Sequence, residues 1–192
     1  MNGRASGPTK KAKQPTPSSN HQNLTLMEKW VIDAAKPADF ATIAAIYNEY
    51  IRLGNATMVE KIHAATDIQQ WVDNFNDREK LFVMRSKKDV IGWGIIKRYS
   101  DRMGYRFACE TSIFFTASAL RKGYGSQMKK FLITLCKNLN YRHLVAKIFA
   151  QNTASIAYNL QLGYEIVGRQ KKVGFKNGKW MDVVIMQYLI EK

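Results

Sequence analysis

Between Phe107 and Leu139 the chain reads as one continuous unit: an alternating strand, a short glycine-containing turn and an amphipathic helix. Phe107, Cys109, Thr111, Ile113 and Phe115 take one face of the strand, leaving Glu110 and Ser112 on the other. Met128, Phe131, Leu132, Leu135 and Leu139 recur at i, i+3, i+4, i+7 and i+11, the period of a helix with one buried stripe. The turn between them is Arg121-Lys122-Gly123-Tyr124-Gly125-Ser126. A strand that passes straight into a helix must lay that helix back on a sheet, so the architecture is layered and mixed α/β.

The flanking sequence extends this pattern in both directions. Trp30-Val31-Ile32 predicts a strand, and Phe40, Ile43, Tyr47, Tyr50 and Ile51 a helix after Pro37. Thr66-Asp67-Ile68-Gln69 has the form of a capping box, opening a second helix whose buried face is Ile68, Trp71, Val72 and Phe75. Leu81 to Met84 and Val90 to Ile96 form a hairpin across Lys87-Lys88-Asp89. Leu144 to Phe149 is a further strand; Ser155, Tyr158 and Leu162 mark a helix that stops at Gly163. Two last strands meet at Lys176-Asn177-Gly178-Lys179.

A chain of 192 residues, 46% hydrophobic, supplies one well-buried core. The segment 1–28 is rich in Ser, Thr, Pro, Asn, Gln and Lys and too poor in large apolar groups to offset the entropy of ordering; it is expected to be a disordered basic tail ahead of one domain, 29–192. With 30 basic against 15 acidic residues the formal charge is +15, which draws anions of any kind: nucleic acid, anionic lipid or a polyphosphate cofactor. Cys109 and Cys136, both in apolar stretches, give no disulfide framework, and His21, His63 and His143 lack metal-ligand spacing, so no metal is expected. No signal core and no run of apolar residues long enough to span a bilayer is present, which points to a cytoplasmic protein without a membrane partner.

The glycine turn sits at a helix N-terminus, where backbone N–H groups and the helix dipole favour an anion. Gly123 and Gly125 let the backbone approach phosphate oxygens, and Arg121 and Lys122 add charge at the rim. The spacing matches neither the dinucleotide fingerprint G-x-G-x-x-G nor the P-loop G-x-x-x-x-G-K-[ST]. An anion site and an ordinary strand-to-helix turn both fit it.

The turn, followed by Asn152-Thr153-Ala154-Ser155-Ile156 and Leu162-Gly163-Tyr164, resembles the signature of the GNAT acyltransferase superfamily. Glu110 to Phe115 and the closing Gly174-Phe175-Lys176-Asn177-Gly178-Lys179-Trp180-Met181-Asp182 are similar to phosphinothricin-type amino-acid N-acetyltransferases, and the likeness runs from Val31 to Leu189. The resemblance implies the GNAT fold: a mixed, mostly antiparallel sheet flanked by helices and split into a V-shaped acyl-CoA cleft where the strand of Ile113, Phe114 and Phe115 leaves its neighbour around Ile148. It implies acetyl-CoA as co-substrate. The backbone of Ile113, Phe114 and Phe115 would pair with the pantetheine arm, Arg121, Lys122, Gly123, Tyr124, Gly125 and Ser126 would cradle the pyrophosphate, and Asn152 would contact the cofactor arm. Phe114 and Phe115 are also compatible with plain core aromatics. The family loop often carries Gln or Arg where this chain has Leu120, which cannot donate to phosphate.

Acetyl transfer to an amine needs a group to take the ammonium proton, since an amine with a pKa near ~10.4 is almost wholly protonated at neutral pH. Glu110, a carboxylate in an apolar strand, is either paired or functional; with the resemblance it is the expected base, acting through water. Many GNAT proteins place Tyr, and some phosphinothricin-type ones His, near the departing sulfur; here the position is Asn159, whose amide can hydrogen-bond but not titrate. Tyr158, one helical residue on, is expected to turn into the core. Met103, Tyr105 and Arg106 match the acceptor side and offer recognition of an amino-acid carboxylate, or else an exposed charged hairpin. The reaction expected is acetylation of the primary amine of an amino acid or amino-acid-like small molecule, by a homodimer if the resemblance extends so far. Leu120 and Asn159 leave open a catalytically weak acyl-CoA-binding module, and the basic surface a protein docking on nucleic acid or ribonucleoprotein.

Overall fold

The structure, a computed structural model, describes Met1, Gly3 and residues 30–191. Of the basic tail expected over 1–28, all but Met1 and Gly3 lies outside the described residues. The elements run β1 (Trp30–Ala34), α1 (Phe40–Leu53), α2 (Ala65–Asp73), β2 (Lys80–Ser86), β3 (Asp89–Arg98), β4 (Ala108–Phe115), α3 (Tyr124–Asn138), β5 (His143–Phe149), α4 (Thr153–Gln161), β6 (Glu165–Lys176) and β7 (Lys179–Leu189). The seven strands form one sheet in the order β1-β2-β3-β4-β5-β7-β6. Every pairing is antiparallel except β4 with β5, which is parallel and confined to Ala108↔His143, Cys109↔Leu144 and Glu110↔Val145. Beyond Glu110 the two strands separate.

Strand alternation divides the core into two layers. On one side Met84, Ile96, Cys109, Phe115 and Leu144 meet Met128, Leu132 and Cys136 of α3. On the other, Val83, Trp93 and Ile95 meet Phe40, Ile43, Tyr47 and Ile68 from α1 and α2. The periodicities of β3, β4 and α3 are therefore those of their environments. The final hairpin turns through Asn177 and Gly178, both left-handed (φ 49 and 74), the pair of conformations a two-residue turn between twisted strands requires.

Two local expectations are corrected. The second helix begins at Ala65 rather than after Thr66, and the carboxylate of Asp67 accepts the Ala64 N–H at 2.6 Å. A charged acceptor near the helix start outcompetes the predicted Thr66/Gln69 cap, and Gln69 instead donates to Asp73 one turn on. The stripe of α3 also includes a residue that the apolar pattern skipped. Lys129 is buried; its Nζ donates to the Thr111 hydroxyl at 2.6 Å and the Thr111 carbonyl at 3.1 Å and lies 4.9 Å from the ring centre of Tyr164. Among the described residues no helix is long and apolar enough to cross a membrane.

Burial holds the Lys129 ammonium down to a pKa of about 8, against 10.5 for the free side chain, with the neighbouring thiols Cys136 and Cys109 pulling the other way. Between these values the unfolded chain keeps a proton that the folded chain has released, so stability from this group rises with pH across the window and is lost as pH falls through about 8. The whole effect is roughly 3 kcal/mol. Denaturant unfolding of the wild type and of Lys129→Met at pH 7.5, 9 and 10 should show the difference moving in favour of the wild type as pH rises; a constant difference would mean that Lys129 does not titrate there.

Candidate active site

The functional geometry starts where β4 leaves β5. The Ala108 carbonyl accepts from the Tyr99 N–H on the β3 side, so by strand alternation the backbone groups of Thr111, Ile113 and Phe115 face the opening. Lys129 holds the Thr111 carbonyl at one end of this edge. At the other, the Tyr50 hydroxyl donates to the Phe115 carbonyl at 2.7 Å. Ile113 lies between them on an edge that no strand covers among the described residues. The side chain of Phe114 meanwhile packs against Trp93, Tyr47 and Tyr50 at ring separations of 4.7 to 5.1 Å, and Phe115 is buried in the α3 layer. The core-aromatic reading of the two rings is correct, and it leaves the backbone edge available. Tyr50, 65 residues away in sequence from Phe115, carried no signal that it would end that edge.

From Phe115 a short turn, Ala117–Ala119, leads past the exposed Leu120 to Arg121, which is left-handed (φ 61), and then to Gly123 (φ 80), the residue that caps α3. A side chain at Gly123 would meet no atom within 4 Å, so what demands glycine is the backbone conformation. The helix has no side-chain cap and no acid in its first turn. Among the described residues nothing accepts from the leading N–H groups of Gly125 and Ser126, and the exposed Arg121 and Lys122 stand alongside. Tyr124, the first residue of α3, is half-buried behind them.

Tyr158 does not enter the core as expected. Its hydroxyl donates to the Gly125 carbonyl at 2.7 Å, tying α4 to the glycine loop, and burial raises its pKa. The two helices stand close enough here for a tyrosine to span them, a distance no helical wheel contains. Asn152 caps α4, its Oδ1 accepting from the Ser155 N–H at 3.1 Å, and its NH2 has no partner among the described residues. Asn159 is buried, with its NH2 donated back to the Ser155 carbonyl at 2.8 Å and its Oδ1 buried without a hydrogen-bond partner among the described residues.

Glu110 is half-buried and bonded to Lys147 of β5. The Lys147 ammonium lies 5.4 Å from the ring centre of Tyr99, and Tyr99 stacks edge-on against Tyr105 at 5.4 Å. Glu110, Lys147, Tyr99 and Tyr105 thus form one row at the point where the strands part. Lys147 was missed in the sequence. As the one charge in His143–Phe149, an otherwise apolar strand but for its first residue, it was the available signal. Arg106 and Met103 are not drawn into this row. The Arg106 guanidinium lies over the Phe107 ring, 4.6 Å from its centre, and donates to the Met103 carbonyl at 3.1 Å.

An opened strand edge, an uncapped helix N-terminus at one end of it and a carboxylate–ammonium pair at the other can hold an extended molecule with a phosphate at its far end and a reacting carbonyl near Glu110. Comparison with known proteins identifies the family. The profile of the family described as "Acetyltransferase (GNAT) domain" matches residues 32–185. A phosphinothricin N-acetyltransferase of Alcaligenes faecalis is 30% identical over 151 residues, covering 78% of this chain and 77% of that protein. An L-methionine sulfoximine/L-methionine sulfone acetyltransferase of Pseudomonas aeruginosa is 30% identical over 154 residues, 78% of this chain and 88% of that one. Among solved structures, the phosphinothricin acetyltransferase of Sinorhizobium meliloti in complex with acetyl-CoA superimposes with a TM-score of 0.79 at 29% identity, covering 84% of this chain and 88% of the other. The chain belongs to the GNAT family of acetyltransferases.

Proposed function

We propose that this protein transfers the acetyl group of acetyl-CoA to the primary amine of an amino acid or amino-acid-like small molecule, with Glu110 as the base. The observation that carries the reading is the continuity of the site: the uncovered backbone at Ile113 runs from Glu110 directly to the open N-terminus of α3. The relatives named for phosphinothricin and for methionine sulfoximine or sulfone support an acceptor that carries an α-amino group beside a carboxylate.

In this arrangement the donors at Gly125 and Ser126, with Arg121 and Lys122, take the pyrophosphate, and the NH2 of Asn152 reaches the cofactor arm. The main chain at Ile113 supplies β-type hydrogen bonds to the pantetheine. The Tyr50 hydroxyl already occupies Phe115, so pairing there requires that it be shared or displaced. Glu110 receives the ammonium proton of the acceptor, directly or through water. Lys147 fixes the Glu110 carboxylate and places a positive charge beside it, where an acceptor carboxylate can bind together with the Tyr105 hydroxyl. In this role Lys147 replaces Arg106, which the fold turns away. The Asn159 amide does not titrate and Tyr158 spends its hydroxyl on Gly125, so the departing thiolate takes its proton from water. That last feature favours one second reading, a protein that binds acyl-CoA but turns over slowly; thiol release measured over a panel of amino acids decides between them.

Glu110→Gln should bind acetyl-CoA as the wild type does and lose about 100-fold or more in kcat. Unchanged turnover would remove Glu110 from the chemistry. Lys147→Met should raise KM about tenfold for an amino-acid acceptor and leave KM for the matching amine without a carboxylate nearly unaltered, which steady-state kinetics on the two acceptors would show. Gly123→Ala, forced into φ 80, should weaken acetyl-CoA binding several-fold in calorimetric titration, with a stability cost of about 1 kcal/mol.

A further inference from the structure

The split in the sheet is bridged on the face opposite α3. By strand alternation Glu110, Ser112 and Phe114 share that face of β4, where Phe114 packs against Tyr47 and Tyr50 of α1. Ser112 is exposed, so the face is open between Glu110 and Phe114. The glycine loop leads into α3, which packs on the other face. A cofactor held by that loop comes from the α3 side, and the α1 side is left to the amine.

β6 and β7 belong to the far half of the sheet, beyond the parting of β4 from β5. Phe149, the last residue of β5, pairs with Val183, so the hairpin end at Asn177 and Gly178 overshoots β5 at the wide end of the opening. On the α1 side of this half, Phe149, Met181, Val183 and Ile185 form a small apolar cluster that no helix residue joins among the described residues. Residues 54–64, the strap from α1 to α2, reach across to the hairpin instead. Lys176, at the end of β6 and only 2% exposed, donates to the Thr57 carbonyl at 2.7 Å and the Val59 carbonyl at 2.6 Å. The two segments also touch closely: a side chain on Gly174 would meet the Met58 methyl at 2.5 Å, and one on Gly54 the Asn177 amide at 2.5 Å.

The far end of the strap is fixed independently of Lys176. The Asn48 amide holds the main chain of His63 at 2.8 and 2.9 Å, and the His63 ring stacks on Tyr47. Between Gly54 and His63 the strap has no helix or strand, and the Thr57 hydroxyl ties it to Tyr47 at 2.7 Å. Lys176 has no carboxylate partner among the described residues, and both of its acceptors are main-chain carbonyls of the strap. Swinging the strap outward exchanges these two bonds for hydration of an ammonium that burial had stripped of water, so the latch is releasable without unfolding its surroundings.

We propose that Lys176 is a positioning residue for acetyl transfer: it latches the strap 54–64 across the amine side of the cleft, and the latch sets how large an acceptor reaches Glu110. This role rests on the acetyl-transfer reading of the cleft. Lys176 acts through the strap, because its ammonium is spent on Thr57 and Val59. Gating of this kind alters acceptor KM and the preference among acceptors, and leaves alone a cofactor bound from the opposite face.

Steady-state kinetics over α-amino acids of rising side-chain size, with calorimetric titration of acetyl-CoA and amide hydrogen exchange, test the proposal on the wild type and Lys176→Met. The expected result is acetyl-CoA affinity within about twofold of wild type, faster exchange across 55–62 and about a tenfold higher KM for the best acceptor. The ratio of kcat/KM for the largest acceptor to that for the smallest should rise at least about fivefold. A purely structural lysine would lower the active fraction for all acceptors alike and leave KM and this ratio unmoved. Gly174→Ala, whose methyl collides with Met58, should move the ratio the same way with Lys176 intact, and adding Met58→Ala should return it toward wild type. An unmoved ratio in Lys176→Met, or in Gly174→Ala if Lys176→Met does not fold, would overturn the latch while wild-type turnover upholds acetyl transfer. A wild type that acetylates none of the series would end the acetyl-transfer reading and this role with it.

Discussion

The ammonium of Lys129 on the carbonyl and hydroxyl of Thr111 is the contact on which the cleft depends. A sheet that splits leaves main-chain groups facing the gap, and each buried group left unpaired costs a large part of a hydrogen bond. β4 loses β5 as a partner after Glu110, and Thr111 is the first residue beyond the parting that faces the opening. Lys129 meets that demand from the second turn of α3, the helix that the glycine turn opens. One side chain thus closes the apex of the split and fastens the helix that forms its far wall. The cost is a buried ammonium without a carboxylate, which the fold meets with two oxygens of Thr111 and the face of Tyr164.

The same demand explains how the rest of the edge is treated. Phe115, at the other end, is met by the Tyr50 hydroxyl from the opposite layer of the core, so two residues from different helices bracket Ile113. Tyr158 spans the mouth from α4 to Gly125. The opening is therefore tied at its apex, its edge and its mouth by side chains, while the part between is left to main chain. A bound strand-like molecule needs such a stretch, because backbone hydrogen bonds recognise an extended arm without regard to side-chain identity.

The parts legible in the sequence are those fixed by local periodicity. β4 and α3 announced themselves because each has one buried face, the Asn177-Gly178 turn because few residue pairs adopt its dihedrals, and Glu110 because a carboxylate in an apolar strand requires a reason. What stayed hidden depends on which elements become neighbours. Lys147 lies 37 residues from Glu110, and their meeting needs the parallel pairing of β4 with β5. Lys129 sits on a helix face that looked apolar, and only the missing strand partner of Thr111 makes a lysine useful there. Tyr158 was misread because its direction was judged on its own helix, when the loop it reaches comes from another. Arg106 fits the acceptor side in sequence, but the aromatic face of Phe107 next to it offers a guanidinium a nearer resting place.

The charge of the chain, too, is more organised than its excess of basic residues over acidic ones conveys. Lys129 and Lys147 are tied to Thr111 and Glu110, and Arg98 to two acids, whereas Arg121 and Lys122 stand exposed at an uncapped helix end and Arg78, Arg102 and Arg106 crowd one cavity. A surface charge in water costs little to leave unpaired, so solvation alone would scatter these arginines. Gathering three of them at one cavity raises their mutual repulsion, and none has a carboxylate partner among the described residues. By the same electrostatics the glycine loop, with no acid in the first turn of α3, is most stable when an external acceptor takes its N–H groups. The positive potential is concentrated at two ends of one sheet.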